Sequence, residues 1–307
     1  MNKIQDATQI TKYKEVIMQI YINGTFYPKE EAKVSVFDHG YLYGDGIYET
    51  LRAYDGYVFH LDEHIERLKQ SAKLMELALP LDEDGISQAI HDSLARNGLK
   101  DAYIRVSVSR GTGEIGLDPE LCPVPTFVII AKQFVNYPKE LYDKGVKIAI
   151  VDTRRTHPET LNPAIKSTNF LNNIFAKMEA KRAGAFEGIM LNHGHFVAEG
   201  TISNIFKVKN GELATPPLIA GILEGVTRGL VIELAEKLGI KVYEEMFSEA
   251  ALKEADEVFI TNTTMEVMPV REVDDKSIGA PGRVTKTLAE AYRREVLHCL
   301  KTGKRAD

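Results

Sequence analysis

EGIMLNHGHFVAEGTISNIFKVKNGELAT (187–215) decides the fold. It holds two hairpin signals in succession: Asn192 to His195 joins EGIML to FVAEG, and Asn210-Gly211 joins NIFKV to ELAT. Asn and Gly tolerate the positive φ of tight hairpin turns, so short β-branched runs on either side read as antiparallel strands. The same signal recurs upstream, where Asn23-Gly24 joins QIYI to TFYP and Asp55-Gly56 joins TLRAY to YVFHL. Both halves of the chain therefore contain antiparallel sheet. YIRVSVS (103–109) alternates strictly, with Ile104, Val106 and Val108 on one face and Tyr103, Arg105, Ser107 and Ser109 on the other. Helices lie between these strands. Over 61–79, Leu61, Ile65, Leu68, Ala72, Met75 and Leu79 alternate spacings of four and three and make one apolar helical face. Residues 170–184 and 226–238 read the same way, with Gly184 and Gly239 as stops. AKQFVNYPKELYD (131–143) loses periodicity and carries Pro138. The expected organisation is α+β: a polar extension over 1–18, a smaller domain over 19–132, a linker over 133–143 and a larger domain over 144–307.

The chain has 307 residues, 44% hydrophobic and 27% charged, which excludes a mainly disordered or collagen-like polymer. Its formal net charge is −6, and no basic patch stands out, so nucleic acid is not an expected partner. The densest apolar run, FVIIA (127–131), is far short of a membrane helix. Cys122 and Cys299 are far apart and read as free thiols, and the first residues lack a signal pattern, so a cytoplasmic location is expected.

Lys166 is the only charged residue in LNPAIKSTNFLNNIFA (161–176). A lysine without charged neighbours can be desolvated and so hold an unprotonated amine near neutral pH, as a Schiff-base lysine must; a snorkelling helix-start lysine is the plainer alternative. Glu199 ends the strand FVAE before small polar residues, where it faces a cavity or solvent. Gly225-Val226-Thr227-Arg228 opens a helix whose free N–H groups suit a phosphate or a simple cap. Thr261 to Thr264 form a polar turn with no bulky residue before Met265, and Arg67 sits near the apolar face of the 61–79 helix.

In combination and in this order these features resemble a family. YING, AKVSVFDHGYLYGDG, LDEHIERLKQSAK, YIRVSVSRGTGEIGLDP, NPAIKSTNFLNN, VAEGTISNIFKVKNG, GVTRGLVIELAEKLGI and ADEVFITNTTMEVMPV are similar to motifs of the fold-type IV, or class IV, pyridoxal-phosphate aminotransferases. Among these the chain most resembles the branched-chain amino acid aminotransferases of archaea and bacteria, from about residue 20 to 297. The resemblance implies a smaller N-terminal α/β domain, a larger C-terminal domain with an antiparallel-rich, barrel-like sheet, pyridoxal 5′-phosphate as cofactor, no metal, and a homodimer with shared sites. It implies transfer of an amino group between Leu, Ile or Val and 2-oxoglutarate.

The resemblance also implies roles. Lys166 bonds the cofactor and shuttles a proton, and Glu199 keeps the pyridine nitrogen protonated. Arg67, the Val226 and Thr227 amides, the Thr227 hydroxyl and Thr263 hold the phosphate. The Thr263 and Thr264 amides meet the substrate α-carboxylate, Tyr103 and Arg105 line the substrate side, and Tyr43 and Tyr48 supply aromatic wall, one of them commonly from the partner subunit. Departures occur at Phe170, where the family places a tyrosine, at Tyr48 and Thr50, and at Asn262 and Met265, which replace small residues. They describe a more polar, tighter pocket and bear on substrate choice more than on the transaminase chemistry. A D-amino acid or (R)-amine transaminase and an aminodeoxychorismate lyase are the alternatives on the same fold. The lyase draws on Thr50, whereas Arg110-Gly111-Thr112 lacks the histidine typical of the D-amino acid enzyme.

Overall fold

The computed structural model describes residues 17–305, so most of the expected extension over 1–18 lies outside the described residues. The four hairpin signals all form hairpins. β1 (Gln19–Ile22) pairs with β2 (Thr25–Pro28) across Asn23-Gly24, and β3 (Gly46–Tyr54) with β4 (Tyr57–Val58) across Asp55-Gly56. Asn23 and Asp55 take φ of 46° and 43°, and the following glycines 88° and 91°, the left-handed pair that such two-residue turns require. β5 (Ala102–Ser109) and β6 (Thr126–Gln133) complete a six-stranded sheet of order β2-β1-β6-β5-β3-β4. The alternation read in β5 is borne out, with Ile104, Val106 and Val108 buried and the intervening residues half-buried. α1 (His39–Tyr43) precedes β3, while α2 (Leu61–Leu74) and α3 (Glu83–Arg96) cover one sheet face, packing Ile65, Leu68, Ile86 and Ile90 against Leu51, Ile104 and Ile129.

The helix expected over 61–79 stops at Leu74. Glu76 turns into the left-handed region at φ 49°, and Leu77 and Leu79 reach the same core from irregular chain rather than from a continued helix. A face matched to helical spacing is thus partly satisfied by a turn. Between the sheets the chain is not wholly irregular, because α4 (Lys139–Lys144) starts just after Pro138.

The second sheet has nine strands: β7 (Val146–Val151), β8 (Glu187–Leu191), β9 (Val197–Gly200), β10 (Asn204–Lys209), β11 (Glu212–Thr215), β12 (Val242–Glu244), β13 (Glu257–Asn262), β14 (Glu266–Val273) and β15 (Lys276–Ser277). The path runs β12-β11-β10-β13-β14-β7-β8-β9, with β15 on β14. Its pairings are mostly antiparallel; β11 with β12, β14 with β7 and β7 with β8 are parallel. On one face α6 (Val226–Lys237) and α8 (Arg283–Thr302) bury Leu230, Val231, Leu288 and Tyr292 against the stacked Phe206 and Phe259. On the other, α7 (Glu249–Lys253) buries Leu252 among Ile148, Ile205 and Met268. α5 (Leu171–Arg182) differs from its sequence pattern. Only Ala176 and Ala180 are buried, and Leu171, Ile174, Phe175 and Met178 face outward. No helix among the described residues is long and apolar enough to cross a membrane.

The two sheets are joined by side chains as well as by the linker. Arg52 on β3 is buried between the rings of Tyr54 and Phe134 and pairs with Glu266 on β14 at 3.0 Å, while the Tyr54 hydroxyl donates to the same carboxylate oxygen at 3.0 Å. The joint fixes the walls of the cleft described next.

Candidate active site

A cavity of about 300 Å³ lies between the sheets and takes Lys166, Glu199, Arg67, Tyr48, Tyr103, Arg105, Val226, Thr227, Thr263 and Thr264 into its lining. Residues scattered over the sequence thus converge. Tyr43 is the exception. It lies on α1, about a third exposed, where its hydroxyl accepts from the Gly116 N–H at 3.1 Å, and it does not line the cavity of its own chain. The reason is directional: α1 ends in the left-handed Gly44, and β3 then carries the chain inward while Tyr43 stays outside.

Lys166 reaches the cavity because the small sheet grips its backbone. Tyr48 N–H donates to Lys166 O at 2.9 Å, Lys166 N–H donates to Ser71 Oγ at 3.2 Å, and Ser167 bridges to Ile47. Its Nζ lies 3.4 Å from the Tyr48 hydroxyl and 4.5 Å from that ring's centre. Burial, together with the Arg67 charge, pulls the amine down from 10.5 to about 8. Among the described residues no carboxylate touches the amine, which is the environment the charge-free window suggested.

Glu199, one residue before the end of β9, is buried. Arg155 Nε donates to its Oε1 at 2.7 Å; Asn204 Nδ2 and the Leu223 N–H donate to its Oε2 at 3.2 and 3.0 Å. Burial pushes the carboxyl up, and Arg155 and the Leu223 amide pull it back. Arg67 is equally enclosed. It forms a two-pronged pair with the buried Glu49 at 2.7 and 2.8 Å and donates to Glu224 O at 2.8 Å, and His64 Nδ1 lies 2.8 Å from Glu49. Burial works to raise the Glu49 carboxyl, but Arg67 and His64 outweigh it and hold it well below the usual range. Arg155, Asn204, Glu49 and His64 were not singled out from sequence. An arginine in a basic pair and a glutamate mid-strand carry no local signal that distinguishes them from surface charges.

α6 opens at Gly225 with no side-chain cap and no acidic residue in its first turn, so its leading N–H groups, on residues that line the cavity, have no side-chain partner among the described residues. Only glycine fits at 225: a Cβ would lie 2.0 Å from Asn204 Oδ1. The buried Thr261 hydroxyl, also in the lining, has no partner among the described residues. Arg105 stacks on Tyr48, its guanidinium carbon 3.9 Å from the ring centre, and its Nε donates to Ser107 Oγ at 3.1 Å. Phe170 lines the cavity and packs edge-on to Tyr48 at 5.4 Å, so the departing ring faces the site.

A buried amine, a buried carboxylate and an uncapped helix start, set in one cleft between a six-stranded and a nine-stranded sheet, match a known family. The chain fits the family model "Amino-transferase class IV" over residues 46–273 and belongs to that family. It is 47% identical to a putative branched-chain-amino-acid aminotransferase of Methanocaldococcus jannaschii over 90% of this chain and 96% of that one. It is 35% identical to the aminodeoxychorismate lyase of Bacillus subtilis, over 94% and 98%. Its fold superposes on the branched-chain aminotransferase of Thermoproteus uzoniensis, crystallised with norvaline, with a TM-score of 0.87 at 39% identity, over 92% and 95%.

Proposed function

We propose that the protein is a pyridoxal-phosphate transaminase that moves an amino group between a branched-chain L-amino acid (leucine, isoleucine or valine) and 2-oxoglutarate. The observation that carries the reading is the buried Lys166 amine, lowered to about 8, in one cavity with a buried carboxylate and an uncapped helix N-terminus. This donor set fits the cofactor: an amine for its carbonyl carbon, an anion for its ring nitrogen, and amides for its phosphate.

When bound, pyridoxal phosphate supplies an electron sink for the electron pair left at a substrate Cα. Lys166 is the amine that bonds it and the base that moves the Cα proton, since one group of suitable pKa faces the cavity. Glu199 holds the proton on the ring nitrogen, and Arg155 and Asn204 orient Glu199. The Val226 and Thr227 amides, the Thr227 hydroxyl, Thr263 and Arg67 hold the phosphate, with Glu49 and His64 aiming Arg67. Arg105, whose Nη groups have no hydrogen-bond partner among the described residues, takes the second carboxylate of glutamate from beside Tyr103.

The outward face of α5 (Leu171, Ile174, Phe175 and Met178) is the surface for a second copy, in a homodimer in which Tyr43 completes the partner's pocket. Cys122 and Cys299 are unpaired, which suits the cytoplasm. A lyase is the second reading, favoured by Thr50 in the lining and by the Bacillus relative. Mixing the pyridoxal form separately with L-leucine, L-glutamate and D-alanine decides between them. The expected result is conversion to the pyridoxamine form with L-leucine and L-glutamate, no conversion with D-alanine and, in a separate assay, no pyruvate release from aminodeoxychorismate.

A further inference from the structure

Asn262 folds its own side chain into the turn between β13 and β14. Its Oδ1 accepts from the Thr264 N–H at 2.9 Å, the Thr264 hydroxyl at 3.0 Å and the Met265 N–H at 2.7 Å, and its Nδ2 donates to Ile202 O at 3.1 Å. The Thr264 amide is one of the two donors expected to meet the substrate α-carboxylate, and here it is already engaged.

The turn has other supports. Asn262 and Glu266 are partners in the β13–β14 ladder, Met265 is fully buried, and the Tyr142 hydroxyl donates to Met265 O at 3.2 Å. Glu266, at φ 59°, is held by Arg52 and the Tyr54 hydroxyl. The turn is therefore held from its flanks as well as by the Asn262 oxygen. That oxygen occupies the acceptor position of the Thr264 N–H, a donor in the cavity lining.

We propose that Asn262 is a specificity-determining residue: an internal acceptor that the substrate α-carboxylate must displace from the Thr264 amide. The proposal rests on the reading above that this turn receives the α-carboxylate. A carboxylate forms the stronger, charge-assisted bond to the same donor and so replaces a neutral amide oxygen, whereas an amine or amide substrate without that charge does not. Asn262 thereby lowers affinity for every substrate while raising the advantage of ionised acids. The lining side chain Asn262 has this effect without touching the reacting atoms.

The test compares Asn262→Ala and Asn262→Asp in the holoenzyme, with L-leucine as substrate and 4-methylpentanoate as a carboxylate inhibitor. Asn262→Ala frees the donors; KM and the inhibition constant should fall about three- to tenfold with kcat within about twofold. Asn262→Asp installs a charged competitor; both constants should rise about tenfold or more. Amide hydrogen exchange at 264 and 265 should speed up in Asn262→Ala and not in Asn262→Asp. Asn262→Gly serves if the alanine variant does not fold. Both variants raising KM alike would overturn the proposal and leave Asn262 as a shaping residue of a turn that still binds the carboxylate. Neither variant changing KM would overturn the carboxylate reading of the turn as well.

Discussion

At the scale of single residues, the site works through burial rather than through unusual residue types. Lys166 is lowered because its surroundings remove water and bring Arg67 near without a carboxylate in contact. An amine reacts only when neutral, and the neutral fraction grows as pH rises through its pKa. The rate at which the cofactor-free chain captures pyridoxal phosphate should therefore climb with pH through about 8 and flatten above it. Stopped-flow absorbance would check this. A profile still climbing near pH 10, as for an ordinary exposed lysine at about 10.4, would place the reactive amine elsewhere. The charge-free window around Lys166 was legible in sequence. The counter-charges around Arg67 and Glu199 were not, because Glu49, His64 and Arg155 come from separate elements and only folding sets them against their partners.

At the scale of elements, turn chemistry carried further than helical spacing. All four hairpin signals form hairpins: in three, an Asn-Gly or Asp-Gly pair acts through its own φ values, and in the fourth Asn192 Oδ1 accepts from the Gly194 and Phe196 N–H groups while His195 takes φ 63°. The helical face over 61–79 is interrupted at Leu74, because apolar spacing records which residues are buried and not whether the backbone stays helical. α5 shows the same limit from the other side, its larger apolar residues turned away from its own core. The start of α6 is the element on which the site depends most. Gly225→Ala places a Cβ where Asn204 Oδ1 lies 2.0 Å away, so Asn204 must move and Glu199 loses a donor. Cofactor affinity should drop about tenfold, the equivalent of one charge-assisted hydrogen bond. Equilibrium titration by fluorescence would read it, and an unchanged dissociation constant would mean that Asn204 yields without cost.

At the scale of the whole molecule, two sheets enclose one cavity, and an outward apolar face on α5 begins five residues after Lys166. The residues of the lining were mostly legible from ordered motifs; Tyr43 was not separable from Tyr48 by sequence, because both lie in one short segment and only the turn at Gly44 sends them to different sides. Phe175→Glu puts a charge in the middle of the α5 face. On the proposed dimer interface, that charge should yield monomers in sedimentation velocity and lower activity with it. A dimer of unchanged dissociation constant would remove α5 from the interface.

The central claim is that Lys166 is the amine that bonds the cofactor. Borohydride reduction of the pyridoxal-phosphate holoenzyme, followed by peptide mapping, reads that bond directly. The account predicts a phosphopyridoxyl label on Lys166 and on no other lysine, and none in Lys166→Ala. A label on a different lysine, or an unlabelled protein after the yellow form has been reduced, would contradict it.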